Sequence, residues 1–196
     1  MMNRLRSAKK DKNAQAAAAQ QNLDNGDAGG APKIAEDPRI PLTTRQMFVL
    51  TKNWKGISRK MEETGVVMFA KMLEKNAELF AIFSNLRHLE GMSRSEMEAE
   101  EALQTHGTAV VAVFDNAINK IGDPDEFFRI LQEYAQLHSR KPGFQSQYFW
   151  KIEEPFLYAV KFTLEDRCTE NMEGIYKTVI HLILETMVKE CEKAAS

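Results

Sequence analysis

Apolar residues recur every three or four positions through most of the chain between Leu42 and Glu192, and that region has no convincing strand-type alternation. This spacing places apolar side chains on one face of an α-helix, whereas alternation would place them on one face of a strand. Two stripes open the series: Met47, Leu50, Trp54, Ile57 and Met61, then Val66, Phe69 and Leu73. The pattern predicts an all-α chain of six or seven helices, ending in two long ones, 147 to about 166 and 169 to about 192.

The composition limits the class of protein. The 196 residues, 43% of them hydrophobic, suffice for one domain that buries roughly 70% of its unfolded surface. The formal charge of -2 at pH 7 gives no reason to expect a nucleic-acid partner. Cys168 and Cys191 have no metal-like spacing, which favours a reducing, cytoplasmic setting. No apolar run of about 18 residues is present, so we expect no transmembrane segment.

Residues 1–41 are predicted to form a disordered tail ahead of a domain spanning 42–193. From Lys12 to Asp37 the chain is rich in Ala, Gln, Asn, Asp and Gly, which bury too little apolar surface to offset the entropy of ordering. The first residues, MMNRLRSAKKDKNAQ, are basic and nearly free of acids. We interpret them as a solvated tail; a mitochondrial presequence and a weak contact with anionic lipid are the alternatives.

Capping residues predict where helices begin. Thr43 with Gln46, and Ser93 with Glu96, have the spacing of a capping box, in which two side chains satisfy the free amides of a first turn. Asp123, followed by a proline, is suited to cap a further helix. Pro155 is a candidate kink in the first of the two long helices.

Two of the four histidines lie in apolar helix stripes. No two histidines are three or four residues apart, so no single helix offers a two-histidine zinc face. His106 follows Leu103 in its stripe, and His138 follows Tyr134, so both imidazoles are expected to face the interior. One iron, held in a flat apolar macrocycle between the two helices, would bind one ring nitrogen of each histidine. The alternative is that both are core histidines whose nitrogens are hydrogen-bonded within the protein.

Five residues stand in a characteristic register: Trp54, Phe69, Phe83 (in AIFSN), His106 and His138, with an interval of 32 residues between the two histidines. In this register, from Leu42 to about Glu190, the chain resembles a globin. The resemblance is greater to the neuroglobin and invertebrate nerve-globin branch than to the muscle oxygen stores. It implies a globin fold of six to eight helices around a haem pocket.

The resemblance also implies the cofactor and its contacts. The cofactor would be haem b, iron protoporphyrin IX. His138 matches the proximal iron ligand and His106 the distal one. The remaining haem contacts would be Phe69, Phe83, Val110, Tyr134 and Phe144.

Gly65 and Gly107 each lower the stability of a helix by about 1 kcal/mol relative to alanine at the same position. The resemblance implies that their two helices cross at close contact, so that the absent side chains let the backbones approach and fix the distal helix over the haem. Simple tolerance of glycine is the alternative.

Three residues depart from the family's pattern. Ala77 replaces a proline that commonly begins the third helix, and Tyr134 replaces a leucine one turn before the proximal histidine. Ala109 stands where a basic residue often reaches a haem propionate. The residues that could pair with a propionate instead are Arg87, His88 and Arg140.

The resemblance implies a bis-histidyl, six-coordinate iron and reversible binding of a diatomic gas: oxygen, carbon monoxide or nitric oxide. It favours an oxygen or redox sensor with a redox or signalling protein as partner, and we assign no catalytic residues. Phe69 has no hydroxyl, so His106 is the one obvious hydrogen-bond donor to bound oxygen. Alternatives are oxygen storage or transport with five-coordinate haem, a nitric oxide dioxygenase or peroxidase-like activity, and a haem-free interaction module, against which His138 argues.

Overall fold

The computed structural model describes residues 37–195, which form seven α-helices connected by turns and short 3-10 helices, with no strand among them. The predicted all-α class is therefore confirmed. We number the helices α1 (Thr44–Ser58), α2 (Met61–Lys75), α3 (Arg94–Glu98), α4 (Glu101–Asn119), α5 (Pro124–Ser139), α6 (Glu153–Leu164) and α7 (Glu170–Ala195). The 3-10 helices are Ala77–Ala81, Ser84–Leu89, Ser146–Ile152 and Glu165–Arg167.

The predicted caps begin three of these helices. The Thr43 hydroxyl accepts a hydrogen bond from the Gln46 amide at 3.2 Å, and the Gln46 side chain accepts one from the Thr43 amide at 2.9 Å. Ser93 and Glu96 form the same reciprocal pair at the start of α3. Asp123 caps α5, whose first residue is the predicted proline. Each cap satisfies amides that would otherwise lack partners at a helix terminus.

Two predicted helices are divided in the structure. The helix predicted to run on from Ser93 is interrupted at Ala99 and Glu100, where the Glu100 backbone is extended and the Gln104 amide group donates to the Glu98 carbonyl at 3.1 Å. The helix predicted from residue 147 begins instead as the 3-10 helix Ser146–Ile152, and the α-helix α6 follows from Glu153. Pro155 does not kink a long helix but lies in the first turn of α6, where its missing N–H leaves no intrahelical bond unmade.

The packed chain begins before Leu42. Residues 1–36 of the predicted tail lie outside the described residues, but Ile40 is buried in the core. The Arg39 guanidinium donates to Asp37 and, at 2.7 Å, to Asp125 at the start of α5. Residues 37–41, which the sequence analysis assigns to the tail, are therefore attached to the helical domain.

The core is built around Trp54, whose ring is fully buried between Phe156 and Tyr176 at centroid distances of 6.2 and 6.1 Å. Its indole N–H donates to the Asp115 carboxylate at 2.8 Å, so the polar edge of the ring keeps a partner inside the protein. This bond connects α1 to α4. Among residues 37–195, no helix is long and apolar enough to cross a membrane.

The helices α2 and α4 cross at Gly65 and Gly107, as the resemblance implies. A Cβ atom added to Gly107 would lie 2.5 Å from the Gly65 carbonyl oxygen, and a Cβ on Gly65 would collide with the Gly107 backbone. Each added Cβ atom would lie closer to the carbonyl oxygen of the opposite glycine than any normal carbon–oxygen contact. Only glycine at both positions therefore permits this crossing. The expected close contact is confirmed, and it sets the position of α4.

We predict that Gly107→Ala lowers the free energy of unfolding by roughly 2 kcal/mol or more, because the new methyl group forces two backbones apart. The matched control is Gly174→Ala in α7, where an added Cβ meets no atom within 4 Å. That change should stabilise the protein by about 0.4–1 kcal/mol through helix propensity and unfolded-state entropy. Urea denaturation of the three proteins measures both values, and equal effects at the two glycines would contradict the packing account.

Candidate functional site: an apolar pocket between two histidines

A pocket opens beside the crossing of α2 and α4 and is enclosed from the other sides by α5, α7 and the segment 144–152. It holds about 620 Å³ of space free of protein atoms, counting the solvent at its mouth. Pockets for small molecules and cofactors typically have mostly apolar walls with a few polar groups. This pocket has the lining of a cofactor site.

Every residue that the sequence analysis assigns to cofactor contact lines this pocket: Phe69, Phe83, His106, Val110, Tyr134, His138 and Phe144. They come from α2, α4, α5 and two connecting segments, so the fold brings together residues far apart in sequence. The sequence analysis did not assign the other wall residues to the site: Met72, Leu79, Ile82, Val113, Phe114, Tyr148, Phe149, Ile152, Leu184 and Met187.

His138 lies in the last turn of α5 with one ring nitrogen engaged. Its Nδ1 is 2.8 Å from the Tyr134 carbonyl oxygen. Because a carbonyl can only accept, Nδ1 carries the proton and donates it, which leaves Nε2 with its lone pair. The ring is held by Phe144 and Phe149, with centroids 5.0 and 5.1 Å away. Burial, opposed by the Tyr134 carbonyl, lowers the pKa of His138 below its usual value.

His106 lies in α4, directly before the Gly107 crossing point. Its ring packs edge-on against Phe69 and Phe83, at centroid distances of 4.7 and 5.1 Å. Within residues 37–195 neither of its nitrogens makes a hydrogen bond, whereas Nδ1 of His138 does. Burial, with smaller contributions from the charges of Lys141 and His138, lowers the pKa of His106 to about 4. The imidazole is therefore neutral near pH 7, with a lone pair available.

His106 also borders the protein surface. A shallow groove outside the pocket is lined by Asn85, Glu101, Ala102, Thr105, His106 and Ala109. The same side chain thus belongs to both the apolar pocket and a solvent-facing groove.

The donors in the pocket suit haem better than a bare metal ion. Two neutral imidazoles line walls that are otherwise mainly apolar and aromatic. A bare ion needs three or four protein ligands, and the described residues contain no group of three or more histidine, cysteine or carboxylate side chains that could hold one. Haem supplies four nitrogens of its own and leaves only two axial positions for the protein.

The candidates for a propionate partner are engaged elsewhere or lie outside the pocket lining. Arg87 donates to the Ala81 carbonyl at 3.3 Å, and His88 Nε2 is 3.4 Å from a Glu100 carboxylate oxygen. Arg140 follows the end of α5 and is not part of the pocket wall. The cation whose charge acts on both pocket histidines is Lys141, which the sequence analysis did not consider.

Comparisons with known proteins agree with this architecture. The family model for globins matches residues 66–187 of the chain. The neuroglobin of Chaenocephalus aceratus is 22% identical over 146 residues, which cover 74% of this chain and 90% of that protein. The neuroglobin of Dissostichus mawsoni is 21% identical with the same coverage.

Two solved structures are similar in fold. A hexacoordinated haem protein from an anhydrobiotic tardigrade, determined at pH 4, gives a TM-score of 0.74 at 30% identity and covers 80% of this chain and 99% of its own. The haemoglobin of the botfly Gasterophilus intestinalis gives a TM-score of 0.66 at 15% identity and covers 77% and 99%. At that identity the second similarity concerns the fold alone.

We predict that Phe144→Ala loosens the wall behind His138, because it removes a ring in contact with both His138 and Phe149. Aromatic contacts contribute about 0.5–1.5 kcal/mol each, so a bound haem should leave the variant roughly 3- to 10-fold faster. Transfer of haem to an excess of an acceptor apoprotein gives the rate. Phe162→Ala, which truncates an aromatic side chain that is 48% exposed, is the control and should leave the rate unchanged. Similar rates of haem loss from the unaltered protein and from the two variants would contradict this role of Phe144.

Proposed function

Because the chain belongs to the globin family and is a haem-binding globin, we propose that its pocket takes haem b with His138 as the proximal ligand and His106 as the distal ligand. In the resting state both imidazoles would hold the iron. The observation that carries this proposal is the pair of neutral histidines, on α4 and α5, that line one apolar pocket.

His138 acts as the permanent ligand. The hydrogen bond from its Nδ1 to the Tyr134 carbonyl fixes the tautomer and the ring orientation, and it makes Nε2 a stronger electron-pair donor. Phe144 and Phe149 restrict rotation of the ring. The ligand is thus oriented before any metal arrives, which lowers the entropic cost of binding.

His106 acts as the exchangeable ligand. No hydrogen bond from the described residues occupies the ring nitrogens of His106, so a lone pair of its neutral imidazole is free to bind a metal. When bound, haem would supply a redox-active iron that can take up a diatomic gas. The likeness to a hexacoordinated haem protein at 30% identity supports ligation by His106 as well as His138.

The double ligation determines what the protein can do. With both histidines holding the iron, His106 would have to be displaced by a diatomic gas such as oxygen, carbon monoxide or nitric oxide, so the apparent affinity for the gas would be reduced in proportion to the fraction of time that the site is open. This arrangement suits an oxygen or redox sensor that signals to a protein partner better than a bulk oxygen carrier. The groove beside His106 gives the displaced ring access to solvent.

We predict that the reduced, gas-free protein has the absorption spectrum of six-coordinate, low-spin haem, and that His106→Leu converts it to the five-coordinate, high-spin spectrum. His181→Leu is the control, because His181 is exposed on α7 and does not line the pocket. Its spectrum should match that of the parent. A five-coordinate parent would support oxygen storage or transport instead and would overturn the proposed resting state.

A further inference from the structure

The outer face of α1 carries a row of cations around one exposed aromatic residue. Arg45, Phe48, Lys52, Lys55 and the C-cap residue Arg59 follow one another at intervals of three and four, and all five are exposed. At 3.6 residues per turn they lie within an arc of about 80° along roughly 21 Å of helix. Phe48, inside this row, is 67% exposed. We call this set the α1 row.

The positive charge of the α1 row is not neutralised within the domain. The helix contains no Asp or Glu, and among the described residues none of its four cations lies within 4 Å of a carboxylate. The cations near the end of α7 differ, because Lys189 pairs with Glu185 at 2.9 Å and Lys193 pairs with Glu190. Since the whole chain has a net charge of -2, the row is a local concentration of positive charge on a slightly acidic protein.

Like charges three and four residues apart on a helix repel each other, and an exposed phenylalanine keeps apolar surface in water. Both costs fall when the α1 row meets a surface that offers negative charge and an apolar layer beneath it. An anionic phospholipid membrane offers both. Lysine and arginine can lay their alkyl stems along such an interface while their charged ends reach the headgroups.

We propose that the α1 row binds the surface of membranes that contain anionic phospholipids, with its four cations over the headgroups and Phe48 inserted at the acyl-chain boundary. The five side chains of the row are exposed and lie on the side of the helix away from the buried Met47, Leu50, Trp54 and Ile57, whereas Leu164 and Arg167 pack against Gly56 beside the row. A purely acidic protein surface would satisfy the cations but would leave Phe48 without an apolar partner. This inference does not depend on the coordination of the iron.

Co-sedimentation of the full-length, haem-loaded protein with phospholipid vesicles tests the proposal. We expect binding to vesicles of phosphatidylcholine mixed with phosphatidylserine at low salt, and none to phosphatidylcholine alone. Near 1 M salt, where the Debye length falls to about 3 Å, binding should be largely lost. No binding to the mixed vesicles at low salt would overturn the proposal, and retention on polyglutamate in that case would assign the row to an acidic protein partner.

Two charge-matched variants locate the binding surface. Lys52→Gln with Lys55→Gln should lower the partition coefficient on mixed vesicles roughly 30-fold, given the usual contribution of a basic residue at an anionic surface. Lys189→Gln with Lys193→Gln changes the net charge by the same amount and should change binding less than about two-fold. Both variants keep the basic N-terminal residues, so an unchanged affinity of the α1 variant, or equal losses in both, would show that the row is not the contact.

The exposed phenylalanine provides a second, uncharged test. Phe48→Ser should weaken binding to the mixed vesicles, whereas Phe162→Ser, which removes the 48% exposed phenylalanine of α6, should not. An equal effect of both changes would contradict insertion of Phe48. The haem absorption spectrum should be the same in every variant, which verifies that the pocket and the fold are intact.

Discussion

The backbone contact between Gly65 and Gly107 is the constraint on which the pocket depends. Because a side-chain carbon at either position would collide with the opposite backbone, α2 and α4 reach their observed separation only with glycine in both. His106 directly precedes this contact, and Phe69 stands one helical turn beyond it on the other helix, with the two rings 4.7 Å apart. The two glycines lower the stability of their helices, but the close contact that they permit fixes one wall of the pocket and the imidazole in that wall.

The opposite wall is fixed by a different interaction. The hydrogen bond from His138 to the Tyr134 carbonyl and the packing of Phe144 and Phe149 orient that ring within a single helical turn and its following segment. One histidine is thus positioned by a helix crossing and the other by a local hydrogen bond. Burial keeps both uncharged, so that each can donate an electron pair to a metal.

The sequence predicted the helical class and the caps, because helical period and capping residues are local signals. The resemblance to globins, and no local signal, supplied the seven residues that the structure brings to the pocket. The sequence did not predict that Leu184 and Met187 would reach the same pocket, since an apolar stripe looks alike whether it packs on core or on cofactor. The break at Glu100 and the 3-10 segment before α6 depend on tertiary hydrogen bonds and packing. The significance of the α1 row also depends on packing, because only the structure shows which cations lack acidic neighbours.

The account depends on two imidazole nitrogens, from His106 and His138, meeting one iron. Electron paramagnetic resonance of the ferric, haem-loaded protein, prepared with ¹⁵N-labelled histidine, measures this directly. The account predicts a low-spin ferric signal with hyperfine coupling to one nitrogen of each of two histidines. A dominant high-spin signal, or coupling to a single histidine nitrogen, would contradict it.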